Sequence, residues 1–131
     1  VNKKTIFTNG CFDVIHRGHI ELLRFCSTLG SVVVGINSDS SIKRIKGNKR
    51  PIHSQEDRKF LLESLKFVDH VRIFNEDTPY NLIKSVMPDI IVKGGDYVVE
   101  EVVGNNICEV VIFDHVEGYS STKIIQNISD R

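Results

Sequence analysis

The chain has 131 residues, enough to bury a hydrophobic core without disulfides or metal, and it reads as one domain over residues 1–131. Its 17 basic and 17 acidic residues cancel, which argues against a nucleic-acid or membrane-surface protein that works by overall charge. No apolar run is long enough for a transmembrane helix, and the residues before the first strand carry no signal-peptide pattern. Cys11, Cys26 and Cys108 are odd in number and lack C-x-x-C spacing, so a reducing, cytoplasmic setting fits them, with Cys26 expected in the core.

In chain order, residues 5–8 read as a short buried strand and 20–29 as a helix; the loop between them carries Gly10, Gly18 and two histidines, His16 and His19. Residues 31–36 are a continuous apolar run, the pattern of a strand covered on both faces as in a parallel sheet. Asn37, Ser38 and Asp39 form a capping cluster that opens a short helix through Ile42 and Ile45, followed by a basic loop over 46–51. Ser54, Gln55, Glu56 and Asp57 start another helix, expected to turn Phe60, Leu61, Leu62 and Leu65 inward. A third strand covers 71–74. Asp77, Thr78 and Pro79 cap a helix to about Val86, which Met87 and Pro88 stop. Residues 89–93 form a fourth strand that ends in Gly94, Gly95 and Asp96, and 109–113 a fifth. Ser120, Ser121 and Thr122 cap a last helix bearing Ile124, Ile125 and Ile128.

Strands alternating with helices predict an α/β fold, a Rossmann-like three-layer sandwich around a mostly parallel five-stranded sheet. In such sheets ligands bind beyond the carboxyl ends of the strands, near the topological switch point. Three segments are expected there: the histidine loop, the basic region after the second strand, and the glycines after the fourth. A strand that turns through glycines into a helix start is suited to phosphate, because the first helical turn offers unpaired N–H groups and the positive end of a dipole. His16 and His19 can converge on one point there. The competing readings are a capping pair or a pair of zinc ligands; no third ligand cluster accompanies them, so no metal site is expected. Lys43 and Lys46, on and just after the short helix, are flexible point charges that can reach a triphosphate, or else a solvated basic turn. Arg50 and Arg58 are weaker candidates, Arg58 being expected to pair with acidic neighbours on its own helix. Cys11 has no base arranged to activate it and reads as a bystander.

His16-Arg17-Gly18-His19 after a glycine turn resembles the H-x-G-H signature of the cytidylyltransferase-like nucleotidyltransferases. Further segments resemble the heptose 1-phosphate adenylyltransferase branch: Thr8-Asn9-Gly10-Cys11-Phe12-Asp13, Ile42-Lys43-Arg44-Ile45-Lys46-Gly47, Arg50-Pro51, Glu76-Asp77-Thr78-Pro79, Val92-Lys93-Gly94-Gly95-Asp96-Tyr97 and Ser121-Thr122-Lys123. The resemblance implies transfer of AMP from ATP to a sugar phosphate such as heptose 1-phosphate, with pyrophosphate released. It implies His16, His19 and Lys46 as catalytic groups. Thr8, Asn9, Gly10, Phe12, Gly18, Lys43, Lys93, Gly94, Asp96, Ser120, Ser121 and Thr122 would surround the nucleotide, and Asp13, Asp39 and Arg50 would serve the acceptor. It also implies Mg²⁺ travelling with the triphosphate and a homodimer. Two other readings stay open: a CTP-dependent glycerol-3-phosphate cytidylyltransferase, and a nucleotide-binding module without catalysis. His115 stands where the glycerol-phosphate branch places an arginine, and the segment from Val103 to Glu109 is shorter than in the heptose branch.

Overall fold

The computed structural model describes residues 3–95, 97–114 and 121–129, the last helix beginning with backbone alone at 121–123. Five strands, β1 (Thr5–Gly10), β2 (Ser31–Asn37), β3 (His70–Phe74), β4 (Ile90–Gly94) and β5 (Glu109–Phe113), alternate with helices α1 (Arg17–Leu29), α2 (Asp39–Lys46), α3 (Gln55–Glu63), α4 (Tyr80–Val86) and α5 (Ser121–Ser129). One 3-10 turn, Val99–Glu101, interrupts the last crossover. All four strand pairings are parallel, in the order β3-β2-β1-β4-β5. The chain builds outward from β1 to β3, then returns to β4 on the other side of β1. The switch point therefore lies between β1 and β4, and the histidine loop and Gly94–Gly95 both leave the sheet there.

The valine- and isoleucine-rich strands are apolar throughout because both faces are covered. Successive side chains alternate between the faces. Ile6, Val32, Val34, Ile36, Val71, Ile90 and Val92 pack against Leu23 and Cys26 of α1 and Leu62 of α3. Phe7, Val33 and Ile91 face the other way, against Ile83 of α4 and Val102. Among the described residues no helix is long and apolar enough to cross a membrane.

Element boundaries depart from the sequence reading in three places. Helix α1 starts at Arg17 rather than residue 20, because His16 is its N-cap. Helix α4 has Pro79 as N-cap with no side-chain cap; Asp77 instead meets Arg44 at 3.1 Å. Helix α3 does not turn Phe60 and Leu61 inward: they are 69% and 41% exposed, whereas Arg58 and Leu62 are fully buried. Its inner face carries Arg58 and Leu62, spaced i, i+4, with Leu65 continuing the stripe just past its end and an arginine at the position where a hydrophobic residue is expected.

Gly104 shows where the shortened segment after the 3-10 turn meets the core. Its φ is +96°, and a Cβ there would stand 2.6 Å from Ile91 Cδ1 and 3.1 Å from Ile83 Cδ1. Gly47 has the same φ but nothing within 4 Å of an added Cβ. Alanine at either position carries a backbone cost of about 1–3 kcal/mol. At Gly104, forced repacking adds about 1–3 kcal/mol. Denaturant unfolding of Gly104→Ala and Gly47→Ala is expected to show the larger loss at Gly104; equal losses would count against this packing.

Candidate active site

The site is organised by the start of α1. A helix leaves its first N–H groups without intrahelical partners. Here the Gly18 N–H donates to His16 Nδ1 at 3.0 Å, and the His16 N–H donates to His19 Nδ1 at 3.2 Å. This is a reciprocal capping box built from two imidazoles, in positions usually held by Ser or Thr and by Glu or Gln. An Nδ1 that accepts a hydrogen bond is unprotonated, so each neutral ring carries its proton on Nε2. The rings stack with centroids 3.9 Å apart and planes 23° from parallel. Two Nε2–H donors are thereby held side by side at the positive end of a helix. Gly18, expected against the nucleotide, commits its N–H to this cap.

His19 is a poor base. Burial, then the neighbouring His16, then the Lys46 ammonium push its pKa from 6.5 down to about 3. It is therefore a neutral donor at ordinary pH. Lys46, the exposed last residue of α2, thus lies within electrostatic reach of His19; Lys43 is exposed one turn earlier. Phe12 does not line the open side of the site, as the sequence reading expected. It is 4% exposed, and its ring packs on His19 at 4.9 Å between centroids.

Phe12 and Val14 have φ of 49° and 54°, a left-handed conformation that is costly for both. Asp13 between them is the restraint. Its fully buried carboxylate accepts from Ile52 N at 2.7 Å, His53 N at 2.9 Å and Arg50 Nε at 3.1 Å. Burial works to raise its pKa, but these hydrogen bonds and the Arg50 charge outweigh it, leaving the pKa below 3.8. Asp13 and Arg50, expected to touch the acceptor, are bound to each other, and Asp13 has no exposed surface for a substrate. Asp39 pairs with Arg58 at 2.9 Å, and its N–H donates to Gln55 Oε1 at 2.9 Å. Arg58 thus pairs with α2, not with its own helix.

At the switch point Thr8 is fully buried, and its Oγ1 has no hydrogen-bond partner among the described residues. Asn9 and Gly10 are half-buried at the end of β1. Lys93 and Gly94 end β4. The Lys93 ammonium lies 4.9 Å from the Tyr97 ring centroid, and burial lowers its pKa against a smaller opposing effect from Cys11. Cys11 Sγ lies 3.8 Å from Asn37 Oδ1. The structure therefore gathers His16, His19, Lys46, Thr8, Asn9, Gly10, Lys93 and Gly94 at one edge of the sheet. Asp96, Ser120 and His115 lie outside the described residues, as do the side chains of Ser121 and Thr122. From sequence, Asn37 and Gln55 read only as helix-start residues and Tyr97 only as part of the segment after β4, because an exposed aromatic and two amides carry no local signature of the contacts they make here. Among the described residues no three His, Cys, Asp or Glu side chains group as a metal site.

The family model described as cytidylyltransferase-like matches residues 7–127, the whole span from β1 into α5. The chain belongs to the cytidylyltransferase-like family. It is 56% identical over 128 residues to the bifunctional protein HldE of Nitratiruptor sp., and 52% identical over the same length to that of Helicobacter pylori; each alignment covers 96% of this chain. The chain spans only 28% of the length of these relatives. Among solved structures, a lipopolysaccharide core biosynthesis protein from Thermoplasma volcanium superposes with a TM-score of 0.72 at 28% identity, covering 89% of this chain and 98% of the other. A pantothenate synthetase from Thermus thermophilus, at 17% identity and a TM-score of 0.60, shares the fold.

The titrations give a pH dependence of stability. The depressed folded pKa of His19 means that between 6.5 and about 3 the unfolded chain binds the proton and the folded chain does not. Stability is therefore full above 6.5 and falls as pH drops toward 3, by on the order of 4 kcal/mol for a shift of this size. Asp13, with its lowered pKa, adds a loss in the same direction below 3.8. Denaturant midpoints from pH 8 to pH 4, at about one-unit steps, are expected to fall in the native chain and to flatten in His19→Gln. A flat native profile would contradict a neutral, buried His19.

Proposed function

We propose that this chain transfers AMP from ATP to a sugar phosphate such as heptose 1-phosphate and releases pyrophosphate. The observation that carries the reading is the stacked pair of neutral imidazoles, with Nε2–H donors aligned at a helix N-terminus beside Lys46. Family membership supports nucleotidyl transfer. The relatives named bifunctional protein HldE and the lipopolysaccharide core neighbour support the sugar-phosphate acceptor.

In this reading an acceptor phosphate oxygen attacks the α-phosphorus of ATP. A new P–O bond forms, and the bond from the α-phosphorus to the bridging oxygen breaks, its electron pair leaving with pyrophosphate. Charge moves onto the leaving phosphates, which is where the two imidazole N–H groups, the α1 dipole and the Lys46 and Lys43 ammonium groups act. The attacking phosphate oxygen is already deprotonated, so no base has to take a proton from the acceptor, and a neutral donor such as His19 suits the step. Ser120, Ser121 and Thr122, which the sequence reads as the cap of the last helix, are assigned to the β- and γ-phosphates. Thr8, Asn9, Gly10, Lys93, Gly94 and Asp96 are assigned to the nucleoside side, the Thr8 hydroxyl being free to bond a group bound there. Mg²⁺ would accompany the triphosphate and supply charge neutralisation there, held by phosphate and water rather than by a carboxylate cage. A homodimer belongs to the same proposal, and sedimentation mass tests it.

Pyrophosphate release is measured with Mg²⁺ and ATP, CTP or GTP against heptose 1-phosphate and glycerol 3-phosphate. Release is expected with ATP and heptose 1-phosphate; release with CTP and glycerol 3-phosphate instead would reassign substrate and base. His19→Ala is expected to lower kcat by about 100–1000-fold, the effect of losing one aligned donor, with a much smaller change in nucleotide affinity.

A further inference from the structure

Arg58 is fully buried, and its guanidinium is spent on hydrogen bonds to the protein rather than on solvent. Its guanidinium reaches four acceptors on three stretches of chain: the histidine loop, the β2–α2 junction and the segment before α3. Nη1 donates to the Cys11 carbonyl at 2.9 Å and to the Asn37 carbonyl at 2.7 Å. Nη2 donates to Asp39 Oδ1 at 2.9 Å, and Nε donates to the His53 carbonyl at 3.1 Å. Cys11 opens the histidine loop, Asn37 ends β2, Asp39 is the first residue of α2, and His53 belongs to the segment gripped by Asp13. A planar fan of donors matches this arrangement, and a lysine ammonium cannot.

The same end of α2 has further fastenings. The Asp39 N–H donates to Gln55 Oε1, the Ser41 N–H to Ser38 Oγ at 3.1 Å, and the Ser41 hydroxyl to the Glu76 carbonyl at 2.9 Å. Helix α2 has eight residues, about 12 Å of rigid rod at the usual rise per residue. Its first residue is held at Arg58; its other end carries Lys46, whose charge acts on His19 and which stands two residues after Arg44, itself paired with Asp77. We propose that Arg58 is a positioning residue for nucleotidyl transfer: by tying the histidine loop to the start of α2, it sets where Lys46 stands relative to His16 and His19. The inference rests on the nucleotidyl-transfer reading above. A purely structural arginine would stabilise the fold without any particular dependence on Lys46.

Arg58→Lys, Lys46→Ala and the double variant separate the two roles. Arg58→Lys is expected to lower kcat by on the order of 10–100-fold, the effect of a small misplacement of a catalytic group, while the nucleotide KM changes far less. Hydrogen exchange is expected to quicken in α2 while β1 and β2 keep their protection. In the Lys46→Ala background, Arg58→Lys is expected to cost little more, because the group it positions is gone. An equal fold-loss in both backgrounds, or unchanged exchange in α2, would overturn the proposal. Should Arg58→Lys fail to fold, Gln55→Ala loosens the same end of α2 with Arg58 intact. It is taken through the same readouts, where coupling to Lys46 supports the clamp and additivity overturns it. A native chain silent in every substrate combination sinks the functional reading alone, since exchange in α2 still decides whether Arg58 holds that helix.

Discussion

The first turn of α1 needs partners for its N–H groups, and meeting that need with histidines shapes the rest of the site. A serine and glutamate would cap the helix equally well by the same reciprocal pattern. The imidazoles differ in having a second nitrogen. Because each Nδ1 is spent on the backbone, each Nε2 must carry the proton and face away from the cap. A local stability requirement thus fixes a tautomer, and the tautomer supplies the donor. The Phe12 ring against His19 and the stack with His16 then remove water from one side of the pair. That burial, together with the neighbouring His16 and the Lys46 ammonium, keeps His19 uncharged.

The loop that delivers these histidines is strained, and the strain is balanced outside it. Phe12 and Val14 both take left-handed backbone conformations. The three hydrogen bonds to Asp13 and the Arg58 bond to the Cys11 carbonyl hold the loop from the 50s segment and from α3. Removing either side chain would leave buried acceptors or donors unpaired, a costly state in a site of low polarity. The acidic and basic groups around the histidines therefore divide into two sets. Asp13, Arg50, Asp39 and Arg58 are used up on each other and on the backbone, whereas Lys43 and Lys46 remain exposed.

How far the sequence predicts this follows from the range of the interactions. The alternation of strands and helices, the parallel sheet and the edge that carries the site are all periodic or local signals, and they were legible. The histidine pair was legible because its members are three residues apart. Asp13 and Arg58 were misjudged because their partners are not local: those of Asp13 lie 37 to 40 residues away, and Arg58 reaches Asp39 at 19 and Cys11 at 47, so nothing nearby distinguishes a clamp from a ligand-binding charge. One local clue to Arg58 existed: it occupies the inner stripe with Leu62 and Leu65. Counting Phe60 and Leu61 as inward, by hydrophobicity alone, concealed it. Capping histidines in place of hydroxyl residues likewise moved the start of α1 three residues upstream of where the apolar period suggested.

A chain with zero formal charge can still hold a polyanion if its positive charge is local and its neutral donors are fixed. The α1 dipole, Lys46 and Lys43 supply field at one end of the site, and Lys93 at the other. Lys93 is partly buried beside Tyr97, where losing the proton is easier than in water. An anion bound between these groups would favour the charged form of Lys93 and would raise the pKa of His19, because it opposes the very charges that lower it. Linkage makes this reciprocal: whatever the anion does to those protons, the protons do to the anion's affinity. An arriving anion therefore makes the site more cationic than it is when free.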